Sequence, residues 1–324
     1  MANSYYATSF AYLCLFSLLL FFTSKIHAQN GLSTSFYGSK CPNFEATVKS
    51  IVTSVVANEP RMGASLLRLH FHDCFVGGCD ASVLLDISGG EKESVHNANS
   101  LRGFEVIDFI KEQVEETCAS VVSCADILAL VARESVVALG GPTWKVEFGR
   151  TDSTSTPSAT EADNNLPFAT DDLSMLMSLF FNKGFSVKDI VALSGAHTVG
   201  QARCIRFRDR AYTEQNIQPS FAQFLQNICP STPNVGDDNL APFDNQSPEV
   251  FNNDYYKGLT NFIGLIHTDQ VLFSGSGSQT DVLVQAYANN QQTFFADFAN
   301  AMLKMSRMGG IGNGVVRTNC RVLG

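Results

Sequence analysis

The chain has 324 residues and a formal net charge of −9, because 31 aspartates and glutamates outnumber 22 lysines and arginines. This acidic balance, with an isoelectric point near 5.1, argues against nucleic acid or an anionic membrane surface as a partner. The length suits one large domain or two closely packed lobes.

The amino terminus has the pattern of a secretory signal peptide. Residues 10–22 form an apolar run, and Ile26-His27-Ala28 follows as the cleavage region. An uncleaved membrane anchor is the alternative, but a run of about 13 apolar residues is short for a bilayer. We therefore expect a signal peptide over 1–28, a secreted mature chain over 29–324, and no membrane span within the mature chain.

The most informative stretch is RMGASLLRLHFHDCFVGGCDAS, residues 61–82. Its strong helix formers predict a helix, which ends where two glycines predict a loop. Arg68 and His72 are four residues apart, so they share one helix face as a polar pair suited to a dry cavity. In the loop, Asp73, Asp80 and Ser82 supply oxygen atoms of the kind that bind a hard cation.

The histidines and cysteines of this stretch allow two interpretations. One is a zinc site formed by His70, His72, Cys74 and Cys79. The other is a disulfide between the two cysteines. The chain has nine cysteines, of which Cys14 lies in the predicted signal peptide. The remaining eight, in the oxidising environment of a secreted protein, favour four disulfides, although sequence spacing leaves their pairing open.

Apolar residues at helical spacing predict further helices along the chain. The predicted ranges are 44–56, 104–114, 125–139, 170–184, 186–195, 253–259, 281–288 and 292–305. Residues 151–167 are rich in Ser, Thr, Pro and Asn and are the candidate boundary between two lobes, and residues 213–251 are interpreted as loop. Strand signals are few, so the sequence predicts a mainly α-helical protein.

Two motifs connect the 61–82 stretch with His197, which follows the predicted helix 186–195. LRLHFHDCFV over 67–76 and LSGAHTVG over 193–200 resemble, nearly residue for residue, the class III or secretory plant haem peroxidases. The order of the cysteines agrees, and the resemblance covers 29–320. It implies the haem peroxidase fold, with a distal lobe at about 29–165, a proximal lobe at about 166–324, one haem b between them and minimal β-structure.

The resemblance assigns residues to the two faces of the haem. His197 would be the axial iron ligand, and Asp269 would accept its other ring N–H and raise its basicity. On the opposite face, His72 would be the general base toward peroxide. Arg68 would stabilise the negative charge that develops as the O–O bond breaks, and its own charge should keep His72 neutral by lowering its pKa.

Three further residues complete the implied catalytic site. Asn97 would accept the Nδ1–H of His72 and so fix its tautomer. Phe71 would screen the iron from larger molecules, and the backbone carbonyl of Pro167 would contact aromatic donors. His267 does not fill the proximal motif, and we expect it to be structural or exposed.

Two calcium sites are also implied, each a mixture of carboxylate, carbonyl and hydroxyl oxygens. The distal set comprises Asp73, Val76 and Gly78 through their backbone, Asp80 and Ser82, with Glu91 behind them. The proximal set comprises Thr198, Asp244, Ser247, Val250 through its backbone, and Asn252. The family usually has aspartate in place of Asn252, which leaves one anionic side chain in this set, so we expect the proximal calcium to bind more weakly.

The resemblance further pairs the cysteines as Cys41–Cys118, Cys74–Cys79, Cys124–Cys320 and Cys204–Cys229. It also implies a buried ion pair between Asp126 and Arg150. Gly77 replaces a common asparagine where only backbone is needed, and the glycine-rich segment 305–316 is shorter than usual, so its packing is not predicted. The glycosylation sequon at Asn245 overlaps a calcium ligand, and we expect it to be unoccupied.

The sequence thus predicts a secreted haem peroxidase that reduces hydrogen peroxide to water and oxidises phenolic donors by one-electron steps at the haem edge. Such chemistry would serve lignin or suberin formation, phenolic cross-linking, defence or peroxide removal. The alternative is a catalytically idle extracellular haem and calcium protein with a cell-wall structural role, which the complete set of catalytic residues disfavours. We expect a monomer in the apoplast or cell wall rather than the vacuole, because only Arg-Val-Leu-Gly follows Cys320.

Overall fold

The structure, a computed structural model, describes residues 31–310 and 314–324, and the predicted signal peptide lies outside the described residues. Within these ranges the regular structure is mostly helical, which confirms the prediction. The α-helices are α1 (Phe44–Asn58), α2 (Pro60–Val76), α3 (Phe104–Thr117), α4 (Cys124–Ala138), α5 (Ala159–Asn165), α6 (Leu173–Asn182), α7 (Val187–Ser194), α8 (Arg208–Thr213), α9 (Pro219–Ile228), α10 (Asp254–Thr260), α11 (His267–Gln270), α12 (Gln279–Asn289) and α13 (Gln291–Met305). No helix of the described chain is both long and apolar enough to cross a membrane.

Helices α1, α2 and α4 pack on one another in the amino-terminal half of the chain. Helix α1 buries three valines at four-residue spacing, Val48, Val52 and Val56, and α4 is buried on nearly every side, as expected for a helix surrounded by others. The N-terminus of α4 is held by Asp152, whose carboxylate accepts the backbone N–H groups of Cys124 and Ala125 at 3.1 and 2.9 Å. This packing fixes the direction of α2, which carries Arg68 and His72.

Four disulfides join the described residues in the pattern that the resemblance implies, Cys41–Cys118, Cys74–Cys79, Cys124–Cys320 and Cys204–Cys229. The ion pair between Asp126 and Arg150 is also present, with 2.8 Å between Oδ1 and Nη1 and both side chains fully buried. Tyr37 donates its hydroxyl to Asp126 at 2.7 Å, and Arg150 Nε donates to the carbonyl of Ser306 at 2.9 Å. Because a buried pair is stable only when its remaining polar atoms are bonded, these contacts tie the interlobe connection to the end of α13.

Two predicted loop regions contain regular structure. Residues 213–251 include α9 and the strand β2 (Leu240–Pro242), which pairs antiparallel with β1 (Gln201–Arg203). Helix α9 begins at Pro219, a residue favoured in the first helical turn, and buries Phe221 and Leu225 four residues apart. The connection 151–167 includes α5, which begins with a capping box at Ser158. These short helices escaped prediction because their flanks are rich in turn-forming residues and their apolar faces are only one or two turns long.

The glycine-rich carboxy-terminal segment packs against the loop that follows α2. The backbone N–H of Cys79 donates to the carbonyl of Met308 at 2.7 Å. Gly310 has φ of +70°, and a Cβ there would lie 2.1 Å from the carbonyl oxygen of Cys79, so only glycine allows this approach. Residues 305–310 therefore return to the amino-terminal half, although they follow the proximal helices in sequence. The predicted lobe boundary near 165 stays a prediction.

Candidate active site

A cavity of about 490 Å³ lies between α2 and the end of α7, within the size range of small-molecule sites. Helix α2 contributes Arg68, Phe71 and His72 to its lining. The end of α7 and the following 3₁₀ turn (Gly195–Thr198) contribute Leu193 and His197 from another side. The two predicted motifs therefore meet in one cavity, although about 120 residues separate them in the chain.

The distal histidine is held in a single orientation. His72 Nδ1 lies 2.6 Å from Asn97 Oδ1, and the Asn97 amide nitrogen in turn donates to the carbonyl of Glu91 at 2.7 Å. Because the amide nitrogen is committed to Glu91, its oxygen faces the imidazole and accepts the Nδ1–H. No described residue bonds the Nε2 of His72. Burial, followed by the positive charge of Arg68, lowers the pKa of His72 well below its usual range, so this nitrogen is a neutral proton acceptor.

The guanidinium of Arg68 is fixed by backbone oxygens rather than by a carboxylate. It donates to the carbonyl of Ser100 at 3.0 Å and to that of His96 at 2.9 Å. Burial and then the charge of Arg206 lower its pKa to about 10, which leaves Arg68 charged at neutral pH. Phe71 meets the His72 ring edge to face at 5.5 Å. The distal wall thus presents a base, a cation and an apolar ring.

The proximal histidine bonds a carboxylate instead of an amide. His197 Nδ1 donates to Asp269 Oδ1 at 2.7 Å, and the Tyr255 hydroxyl donates to the same oxygen at 3.0 Å. The Phe243 ring lies parallel to the imidazole, with 3.9 Å between ring centroids. Sequence reasoning missed both Tyr255 and Phe243, since neither belongs to a motif and no spacing signal points to them. His267 lies outside the cavity lining, where it contacts Glu214 and Asp172.

These residues fit a haem with one axial protein ligand. Two imidazoles line one cavity, and in each the Nδ1 is bound while the Nε2 has no partner among the described residues. A histidine whose second nitrogen donates to a carboxylate is the usual haem-iron or metal ligand. Apolar side chains from several helices also line the cavity, including Leu176, Phe180 and Met302. Pro167 lies in the same lining, beside Phe168.

The distal oxygen cluster, Asp73, Asp80, Ser82 and Glu91, has the donor atoms of a cation site. Asp73, Ser82 and Glu91 are fully buried, and the Oγ of Ser82 and both carboxylate oxygens of Glu91 have no hydrogen-bond partner. Burial raises the pKa of Glu91 to about 8, and burial together with the neighbouring carboxylates raises that of Asp73 well above its usual range. The donors are all oxygen, which suits calcium. Buried acceptors without a donor are costly, so a bound cation would stabilise the folded chain.

The proximal oxygen cluster contains one carboxylate more than the sequence analysis assigned. The carboxylate of Asp254 accepts from Ser247 Oγ at 2.8 Å and from Asn252 Nδ2 at 3.1 Å. The same Ser247 Oγ lies 3.0 Å from the carboxylate of Asp244, and Thr198 Oγ1 donates to Asn252 Oδ1 at 3.3 Å. The predicted ligand set, with Asp244 as its one anionic side chain, stays a prediction, and Asp254 places a second carboxylate beside it. Asp254 follows Asn252 by two residues, and only the turn at the start of α10 brings it to the cluster.

The zinc interpretation of the 61–82 stretch is also wrong. Cys74 and Cys79 are joined by a disulfide, which removes the thiolates that zinc would bind. His70 is buried and bonds Ser306 Oγ at 3.0 Å, and His72 faces the cavity. The disulfide closes the short loop between Asp73 and Asp80, two residues of the distal oxygen cluster.

Comparison with known proteins agrees with this geometry. A family model described as "Peroxidase" matches residues 48–290. Peroxidase 4 of Vitis vinifera is 54% identical over 308 residues, which are 94% of this chain and 94% of the relative. Peroxidase 2 of Oryza sativa subsp. japonica is 53% identical over 291 residues, 89% of this chain and 91% of the relative. Peroxidase 67 of Arabidopsis thaliana is 47% identical over 312 residues, 95% and 98% of the two chains.

The match covers both walls of the cavity and nearly the full length of the relatives. The family implies a haem, and the paired histidines provide the place for it. The chain therefore belongs to the peroxidase family, among the class III plant peroxidases, and is an enzyme of that activity.

Proposed function

We propose that this peroxidase binds one haem b through His197 and uses hydrogen peroxide to oxidise phenolic donors outside the cell. The observation that carries the proposal is the pair of imidazoles in one cavity, one bonded to an amide and the other to a carboxylate. In the balanced reaction, one peroxide gains two electrons and two protons and gives two waters. Two phenols each lose one electron and the hydroxyl proton, leaving two phenoxyl radicals.

The distal residues have separable roles in this chemistry. His72 Nε2 takes a proton from peroxide and returns it to the departing oxygen, because its Nδ1–H is committed to Asn97 and the ring is neutral. Arg68 stabilises the negative charge on the departing oxygen, and its backbone contacts hold the guanidinium in place. Phe71 keeps larger molecules from the peroxide-binding space.

The proximal residues keep the cofactor in place. A bound haem would supply the two electrons that peroxide cleavage requires and would regain them from two donor molecules. Asp269 orients His197 and raises the basicity of its Nε2, and the hydroxyl of Tyr255 fixes the carboxylate. Donors would approach near the carbonyl of Pro167, so their oxidation needs no deep or selective pocket.

Two calcium ions are part of the proposal. The buried oxygens of the distal cluster fit one of them, with Asp73, Asp80 and Ser82 as side-chain ligands, Val76 and Gly78 through their carbonyls, and Glu91 behind. The proximal ligand set is proposed as Thr198, Asp244, Ser247, Val250 through its carbonyl, and Asn252. Asp254 supplies a second negative charge beside it.

We further propose that the protein is a secreted monomer of the apoplast or cell wall. Four disulfides are typical of an oxidising compartment. The test of the whole proposal is expression of the full chain with haem in a secreting host. A haem absorption spectrum, together with guaiacol oxidation that requires hydrogen peroxide, is expected. Protein that holds haem and calcium but oxidises no phenol would instead indicate the idle cell-wall role.

A further inference from the structure

The cavity is positively charged although the protein is acidic. Its lining has five arginines, Arg61, Arg68, Arg102, Arg203 and Arg206, against two aspartates, Asp238 and Asp269. The whole chain has a formal net charge of −9. A positively charged cavity in a negatively charged protein raises the local concentration of anionic ligands.

Not all of these cations are neutralised by the protein. Arg203 pairs with Asp238, and Arg102 pairs with Glu59 at 2.7 Å. Among the described residues, no carboxylate lies within ion-pair distance of the other three, Arg61, Arg68 and Arg206. Haem b carries two carboxylates, whose two negative charges balance at most two of these three positive charges. At least one positive charge therefore remains for another ligand.

Arg206 is the cation best placed to receive a donor. Its Nη2 donates to the carbonyl of Val95 at 2.6 Å, and its Nε and Nη1 have no partner among the described residues. Arg68, in contrast, is held by two backbone carbonyls and faces the peroxide-binding space. The guanidinium of Arg206 thus has a fixed position and free donor atoms.

An aromatic surface lies beside this cation. His96 follows Val95 in the chain, and its ring lies 4.1 Å from that of Phe168, centroid to centroid. Phe168 adjoins Pro167 and is 36% exposed, and the part of the lining formed by His96, Pro167, Phe168 and Arg206 is the donor mouth. Burial is the main cause of the lowered pKa values of Arg68 and His96, and the positive charge of Arg206 contributes to both.

We infer that the donor mouth selects phenols that carry a carboxylate, of the hydroxycinnamate type, over neutral phenols with the same ring, and that Arg206 binds the carboxylate. A guanidinium offers a carboxylate charge-assisted hydrogen bonds in a planar fork, while the rings of Phe168 and His96 offer the phenol a stacking surface. This inference rests on the proposed function and adds the substrate class to it.

The test compares ferulate with coniferyl alcohol, which share the ring and the three-carbon side chain and differ in the carboxylate. We would measure kcat/KM for both donors with haem-loaded wild type, Arg206→Gln and Arg206→Lys. Arg206→Gln should lower kcat/KM for ferulate about three- to tenfold relative to coniferyl alcohol, the size of a partly exposed charge contact. Arg206→Lys keeps the positive charge and should retain most of the preference for ferulate. In wild type, high salt should reduce the preference for ferulate, because it screens the charge of Arg206.

The control is Lys145→Gln, which removes one positive charge from an exposed site outside the cavity lining. It should leave the ratio between the two donors unchanged. The inference is wrong if Arg206→Gln lowers kcat/KM equally for ferulate and coniferyl alcohol. It is also wrong if Arg206→Gln changes the ratio of the two kcat/KM values no more than Lys145→Gln does. If wild type oxidises neither donor, the proposed function itself fails, and the two failures are thereby distinguished.

Discussion

The distal and proximal walls of the cavity each present a histidine, but they differ in the group that accepts its Nδ1–H. Each has a histidine whose Nδ1 donates to a fixed acceptor, and on each wall the next residue in the chain belongs to an oxygen cluster. On the distal wall the acceptor is the neutral amide of Asn97, and on the proximal wall it is the carboxylate of Asp269. An amide leaves the imidazole neutral and free to exchange a proton, whereas a carboxylate makes it a stronger ligand. The charge of this acceptor thus distinguishes the proposed base, His72, from the proposed iron ligand, His197.

The distal and proximal oxygen clusters differ in how many of their oxygens the protein itself bonds. In the distal cluster, the Oγ of Ser82 and both carboxylate oxygens of Glu91 are buried without a partner. In the proximal cluster, the side chains bond one another, and Lys257 pairs with Asp254 at 2.8 Å. Backbone N–H groups bond the distal carboxylates of Asp73 and Asp80, but the side-chain oxygens of Ser82 and Glu91 have no such donor, whereas every side chain of the proximal cluster has a hydrogen-bond partner. This difference predicts unequal calcium binding.

The largest effect should come from removing the proximal ligand. His197→Ala deletes the imidazole that Asp269 orients, so we expect poor haem retention and loss of the resting ferric spectrum. Haem content per protein and the absorption spectrum measure this. His267→Ala is the matched control, since it removes a histidine outside the cavity lining and should retain haem. A purified His197→Ala variant with full haem and the wild-type spectrum would mean that another residue binds the iron.

The distal histidine should matter for rate and not for haem binding. His72→Leu removes the general base, which is worth roughly 10²–10⁴-fold in rate. Stopped-flow measurement of the spectral change after mixing with hydrogen peroxide tests this directly, with haem content as the internal check. A loss smaller than about tenfold would rule out His72 as the base.

Asn97→Asp would make the distal wall resemble the proximal one. A carboxylate at Nδ1 favours the protonated imidazole, so it should raise the pKa of His72, which is well below its usual range in wild type. The base must be neutral, so the peroxide rate of the variant should fall as pH drops through the raised pKa. Wild type should stay constant to more acidic pH. At pH 6 we expect the variant to be slower by about tenfold.

The pH profile also tests whether the charge of the group that accepts the Nδ1–H sets the pKa of His72. Asn97→Gln keeps a neutral amide and serves as the matched control. If Asn97→Asp and wild type lose activity at the same pH, then the acceptor charge does not set the protonation of His72.

The smallest effects should appear at the proximal oxygen cluster. Calcium affinity rises with the number of charged ligands, so Asn252→Asp should strengthen calcium binding and Asp254→Asn should weaken it, each by several-fold. Calcium content during chelator titration, read together with the ferric spectrum, measures both. The proximal ion should leave before the distal one and should disturb the spectrum, because Thr198 adjoins His197. Identical release from wild type and Asn252→Asp would contradict this account.

The sequence by itself determined the helical class and the motif residues of both walls. Arg68 and His72 are four apart on one helix, and helical periodicity alone places them on one face. The segment around His197 and the order of the cysteines were likewise readable, because each is a continuous pattern in the chain. The resemblance then implied the disulfide pairs that the structure contains.

Only the tertiary structure decided which distant residues join these patterns. Tyr255 and Phe243 reach His197, Asp254 reaches the proximal cluster, and Arg206 comes to the donor mouth beside Phe168. Such contacts depend on how helices and loops far apart in sequence pack together, and no local periodicity records them. The short helix α9 shows the same limit, since its stability comes from the core that it covers rather than from its own propensity.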